Sequence, residues 1–142
     1  MTSRPLVLDT NIVLDVFVFA DEAAGAVRSR LEAGSLRWLA TTAMRDELER
    51  VLAYAQIVPR LAFYRLTAAD VLQAFDRHSE RVEAASKAPV TCKDPDDQKF
   101  IDLAVAHRAM LLSKDRAVLA LKKRLEPFAV HAAPTLQAGV TG

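Results

Sequence analysis

Leu6-Val7-Leu8 is the first apolar run without alternation in the chain; it follows Pro5 and ends at Asp9. Short unbroken runs of this kind belong to strands covered on both faces. Arg37-Trp38-Leu39-Ala40 and Met110-Leu111-Leu112-Ser113 repeat the pattern, and Phe128-Ala129-Val130-His131 reads as an edge strand. Between these runs the apolar period lengthens to that of a helix. Residues 12–20 form a short buried helix, and Asp21 caps a helix carrying Ala23, Ala24, Val27 and Leu31, stopped by Gly34. Thr41 and Thr42 open a helix over about residues 43–55, with a stripe of Met44, Leu48, Val51, Leu52 and Ala55. Pro59 marks a break before a helical segment at 61–65. Thr67 and Asp70 make a capping-box pair for a long helix through Val71, Leu72, Phe75 and Val82, and Pro89 ends that region. Asp94-Pro95-Asp96-Asp97 starts a helix to about His107, a residue placed to cap its C-terminus. Residues 117–125 are helical up to Pro127, and the tail 132–142 is expected to be loose. Strands alternating with helices predict an α/β fold: a central, mainly parallel sheet flanked by helices.

With 142 residues, 51% hydrophobic and 26% charged, the chain suits one compact domain over 1–142, with a core at about 5–131. No apolar run approaches the roughly 18 residues of a membrane span. Residues 12–20 come nearest and are interrupted by Asp15, so no membrane association is expected. No signal-peptide pattern is present. Cys92 is the single cysteine, which leaves no internal disulfide and points to the reducing cytoplasm. Neither it nor His78, His107 and His131 show zinc spacing. A net charge of +1 argues against a strongly basic nucleic-acid sleeve. It leaves room for an acidic site with basic residues around it.

Four acids stand where chemistry is expected. Asp9 and Asp115 each follow a strand, where α/β sheets place their ligands; each also suits a plain capping role. Glu47 borders the apolar stripe of its helix, as an ordinary rim residue also would. Asp97 is the most directional. Asp94 is placed as N-cap and Pro95 at the first helical position. At about 100° per residue, Asp97 shares its azimuth with Phe100, Ile101, Ala104 and Val105. Gln98, Lys99 and Asp102 fall opposite, and Asp96 lies to one side. An inward carboxylate needs a partner. Four converging carboxylates repel one another unless a cation neutralises them. All-oxygen ligands select Mg²⁺ or Mn²⁺, which implies metal-assisted attack of water on a phosphodiester. Lys114 and Arg116 flank Asp115 and suit either phosphate contact or a solvated turn. Lys122-Lys123-Arg124 reads as cations favoured at a helix C-terminus. Trp38 and the phenylalanines read as core.

The ordered set resembles the PIN domain family, in particular its small bacterial toxin components of toxin–antitoxin pairs. It consists of Leu8-Asp9-Thr10-Asn11 with Asp15, Glu47-Leu48, Asp94-Pro95-Asp96-Asp97 with Phe100 and Ala104, and Leu112-Ser113-Lys114-Asp115. The resemblance runs from about Pro5 to Val130. It implies a PIN-like three-layer fold with the first and third of these strands side by side. It further implies an Mg²⁺- or Mn²⁺-dependent ribonuclease acting on single-stranded RNA, with Asp9, Glu47, Asp97 and Asp115 as catalytic and metal-binding acids. Thr10, Asn11 and Ser113 would support those acids or touch substrate, as Lys114 and Arg116 would also do. An antitoxin protein and a homo-oligomer are the partners it suggests. The link Ala106-His107-Arg108-Ala109 is shorter than such relatives commonly have. Two other functions compete. A phosphatase with an aspartyl nucleophile would need a second acid two residues after Asp9, where Asn11 stands. A non-catalytic RNA- or protein-binding module would not need all four acids.

Overall fold

A computed structural model describes residues 4–136. Within them lies one five-stranded sheet of order β3-β2-β1-β4-β5, parallel throughout. Its strands are β1 (Pro5–Leu8), β2 (Arg37–Ala40), β3 (Ser79–Arg81), β4 (Met110–Leu112) and β5 (His131–Ala133). Two helices, α1 (Thr10–Phe17) and α2 (Gly25–Glu32), lead from β1 to β2. Three, α3 (Thr42–Leu52), α4 (Val58–Phe63) and α5 (Ala68–His78), lead from β2 to β3. The chain then returns across the sheet through α6 (Gln98–His107) to β4, and α7 (Arg116–Leu119) and α8 (Lys122–Leu125) precede β5. Parallel crossovers are right-handed, so reversing direction after β3 puts α6, α7 and α8 on the face opposite α1 to α5. The reversal makes the C-terminal edge of β1 and β4 the switch point, where ligands of such sheets collect.

β1 is central because nothing in it tolerates water. Leu6 and Val7 are fully buried, as are Leu39 in β2, Leu111 in β4, and Ile101 and Leu103 on α6. Trp38 packs edge-on against Phe75 of α5 with ring centres 4.9 Å apart, so the large aromatics on this side are core, as the pattern predicts. Phe63 is the exception at 79% exposure. With Tyr54, Val58 and Tyr64 it leaves an apolar surface on and beside α4. Among the described residues no helix is long and apolar enough to cross a membrane.

The structure moves several boundaries. The helix expected to run through Val82 ends at His78, and residues 79–81 form β3 instead. Val82 repeats the stripe spacing of Phe75 seven residues on, which imitates a continuing helix. Its N–H in fact donates to the Ala40 carbonyl. Arg37 holds the strand through Glu80 at 2.6 Å. Pro59 does not break a helix but sits in the first turn of α4, where its missing N–H costs nothing. The expected helix at 117–125 is two short helices, and Pro127 lies in a following 3₁₀ turn. The last strand is His131–Ala133 rather than 128–131, so Ala132 and Ala133 are sheet and not tail. Of the rest of the expected loose tail, residues 134–136 form neither helix nor strand, and 137–142 lie outside the described residues. The short link after α6 is accommodated by Arg108, which takes a left-handed conformation at φ 52° and ends the helix just before β4.

Candidate active site

Asp9 and Ser113 stand side by side, one residue past the last paired positions Leu8 and Leu112. The Asp9 N–H extends the ladder to the Leu112 carbonyl at 3.0 Å. Its carboxylate accepts from the Ser113 hydroxyl at 2.6 Å and from the Asn11 N–H at 3.3 Å. Ser113, fully buried, also accepts the Asp115 N–H at 3.0 Å. One hydroxyl therefore fixes both strand-end acids, and no substrate can reach it. Asp115 additionally caps α7 by accepting from the Ala117 N–H at 2.8 Å, the plain capping role its position also suits.

Asp97 points inward as its azimuth predicts: it is 8% exposed, followed by the buried Phe100, Ile101 and Ala104. Asp94 caps the turn through the Asp96 N–H at 2.9 Å. It does more than cap. One oxygen from each of Asp94, Asp97 and Asp115 lies within 4.8 Å of the others. A carboxylate has two oxygens, and the cap occupies one. Asp94 was therefore missed as a member of the cluster because its local role seemed to use it up.

Glu47 faces the same region but is already engaged. The Thr10 hydroxyl donates to one of its oxygens, and the Lys99 ammonium donates to the other at 2.8 Å. Lys99 was expected on the opposite side of α6. The azimuth of a Cβ does not fix the tip of a four-carbon side chain, and this one turns back over the Asp96 carbonyl to reach Glu47. Lys114, read as either a phosphate contact or a solvated turn residue, pairs with Asp15 at 2.5 Å. Asn11 and Arg116 are exposed.

Crowding of like charges leaves its mark on protonation. Burial, then the charge of Asp9 and the neighbouring Asp115 and Asp94 carboxylates, push the Asp97 carboxyl up from 3.8 to about 7. Burial also raises Asp9, opposed by its bonds from Ser113 and Asn11, and the charges of Asp115 and Glu47 add to the rise. Asp97 Oδ2 is buried and has no hydrogen-bond partner among the described residues. A buried, unpartnered acceptor amid carboxylates fits a hard divalent cation. The absence of histidine and cysteine from the cluster fits magnesium or manganese better than zinc.

The PIN domain model matches residues 5–117, a span that contains Asp9, Glu47, Asp94, Asp97 and Asp115. The chain belongs to the PIN domain family. Among solved structures, this PIN domain is similar in fold to a chain in the crystal structure of VapBC2 from Rickettsia felis bound to a DNA fragment from their promoter. The TM-score is 0.59 at 13% identity, over 90% of this chain and 98% of that one. No curated protein matches the sequence.

Proposed function

We propose that this PIN domain is an Mg²⁺- or Mn²⁺-dependent endoribonuclease that cleaves single-stranded RNA, working as one domain in the cytoplasm. The observation that carries the reading is the unpartnered, buried Asp97 oxygen within a cluster of carboxylates at the switch point of the sheet. Asp94, Asp97 and Asp115 would hold the ion, with Asp9 beside them. When bound, the ion supplies a more acidic water and stabilises the departing oxygen. The chain's own groups prepare the site. Ser113 orients Asp9 and Asp115 together, while Thr10 and Lys99 hold Glu47 at the rim. Incubating the protein with single-stranded RNA in Mn²⁺, in Mg²⁺ and in excess chelator tests this. Cleavage should need metal and vanish in Asp97→Asn; equal cleavage in chelator would sink it.

The Lys99–Glu47 pair favours a second reading, a non-catalytic RNA- or protein-binding module, because one acid is neutralised without any metal. Absence of metal-dependent cleavage, with RNA binding retained, would select it. For partners we propose an antitoxin protein, or a second copy, on the apolar surface around Phe63 and Tyr64, since exposed patches of this kind suit protein contact. Sedimentation of the chain alone and with the product of an adjacent reading frame, for the parent and Phe63→Ser, distinguishes the two.

A further inference from the structure

We propose that the cleft between the 91–93 loop and helices α7 and α8 binds backbone phosphates of the RNA strand next to the bond being cut. This rests on the ribonuclease reading. The cleft is about 500 Å³, within the range of ligand sites, and its polar lining comes from Lys93, Arg116, Arg124 and Thr91 over a floor of Ala117 and Ala120. No acid lines it. Several other basic side chains are tied up: Arg37 by Glu80, Arg45 and Arg81 by Asp76, Lys99 by Glu47, Lys114 by Asp15. Lys93, Arg116 and Arg124 have no carboxylate partner among the described residues. Three unpaired cations converging on a concave wall focus positive potential, and guanidinium groups suit phosphate through paired hydrogen bonds.

Position ties the cleft to the acids. Lys93 precedes Asp94 and Arg116 follows Asp115, and those two carboxylates are within 4.8 Å of each other. A strand leaving the cluster therefore meets the cations at once. The loop is pinned: the Gln98 side chain donates to the Val90 carbonyl at 2.9 Å and accepts the Cys92 N–H at 2.7 Å. The Lys87 ammonium donates to the Thr91 hydroxyl oxygen at 2.9 Å, which leaves the hydroxyl hydrogen free to donate to an anion. The floor has no aromatic side chain for base stacking. The cleft should thus hold backbone with little base preference.

The test uses a labelled single-stranded RNA oligomer in chelator, so that binding is read without cleavage, on the parent, Arg124→Glu, Lys93→Gln and Lys122→Glu. Lys122 is exposed on α8 and does not line the cleft. Arg124→Glu should weaken binding about tenfold, and each cleft variant should reduce the salt dependence by roughly one phosphate contact. Lys122→Glu should change little. The melting shift caused by Mn²⁺ should be the same in all four. Equal losses in Arg124→Glu and Lys122→Glu would overturn the cleft, as would affinity for inorganic phosphate without Arg124-dependent RNA binding. Metal-dependent cleavage with a KM indifferent to Arg124→Glu would leave the nuclease standing and remove the cleft. Arg124-dependent binding without cleavage would do the reverse.

Discussion

The Asp97 carboxyl keeps its proton to about pH 7 because burial and three neighbouring acids oppose its charge. In the unfolded chain it ionises near 3.8. The folded protein therefore binds this proton more tightly, and the stability it contributes is present at low pH and lost as pH rises towards 7. Asp9 is shifted in the same direction. Asp76 and Glu80 are shifted downward by Arg45 and Arg37, so their effect falls below pH 5. Without metal, the melting temperature should fall from about pH 5.5 to about 7 and level off above it, and Asp97→Asn should flatten that slope. Stabilisation by Mn²⁺ should grow over the same interval, because ion and proton compete for the same oxygens. Melting curves at several pH values, with and without Mn²⁺, check both signs. Ser113→Ala removes a hydroxyl bonded to Asp9 and to the Asp115 N–H. It should cost about 1–3 kcal/mol by denaturant titration, and cleavage should fall as the two acids lose their common anchor. The inward direction of Asp97 was legible from helical periodicity alone. The second oxygen of Asp94 and the reach of Lys99 were not, because both depend on where another segment lies.

At the scale of elements, the capping signals read well. Thr67 and Asp70 form the reciprocal box their spacing predicts, and Gly34 stops α2 in a left-handed conformation at φ 74°. Strand β3 was hidden because Val82 extends a helical stripe and only the edge of β2 tells it otherwise. The link after α6 joins the helix that Asp97 precedes to the strand that delivers Asp115, and it turns on Arg108, a non-glycine residue at φ 52°. Such a residue carries strain of about 1 kcal/mol that glycine would not. Arg108→Gly should therefore raise the melting temperature while leaving metal response intact. A lowered melting temperature would mean that the arginine side chain contributes more than its backbone strain costs.

For the whole molecule, alternation of strands and helices was enough to give a parallel α/β sheet, and the unbroken run in β1 marked it as interior. Strand order was not legible from pattern, since β1 pairs with β4 across about a hundred residues and periodicity records only local neighbours. The same long-range closure gathers the carboxylates that repel without an ion. Mn²⁺ at about 100 times its Kd should add roughly 2.7 kcal/mol to unfolding. A melting curve indifferent to millimolar Mn²⁺ would contradict a preformed site.

The central place of β1 also has a consequence in time. Its acid is made first, and Asp94, Asp97 and Asp115 follow much later along the chain. At about 5–20 residues per second, roughly 5–20 s of translation separate Asp9 from Asp115. During that interval the ribosome carries a strand whose neighbour on one side does not yet exist. A growing chain therefore cannot gather this carboxylate cluster before β4 and Asp115 have been made. A fragment ending at residue 109 should accordingly show neither a cooperative melt nor any response to Mn²⁺, and a metal-dependent melt in that fragment would show that the site assembles without β4.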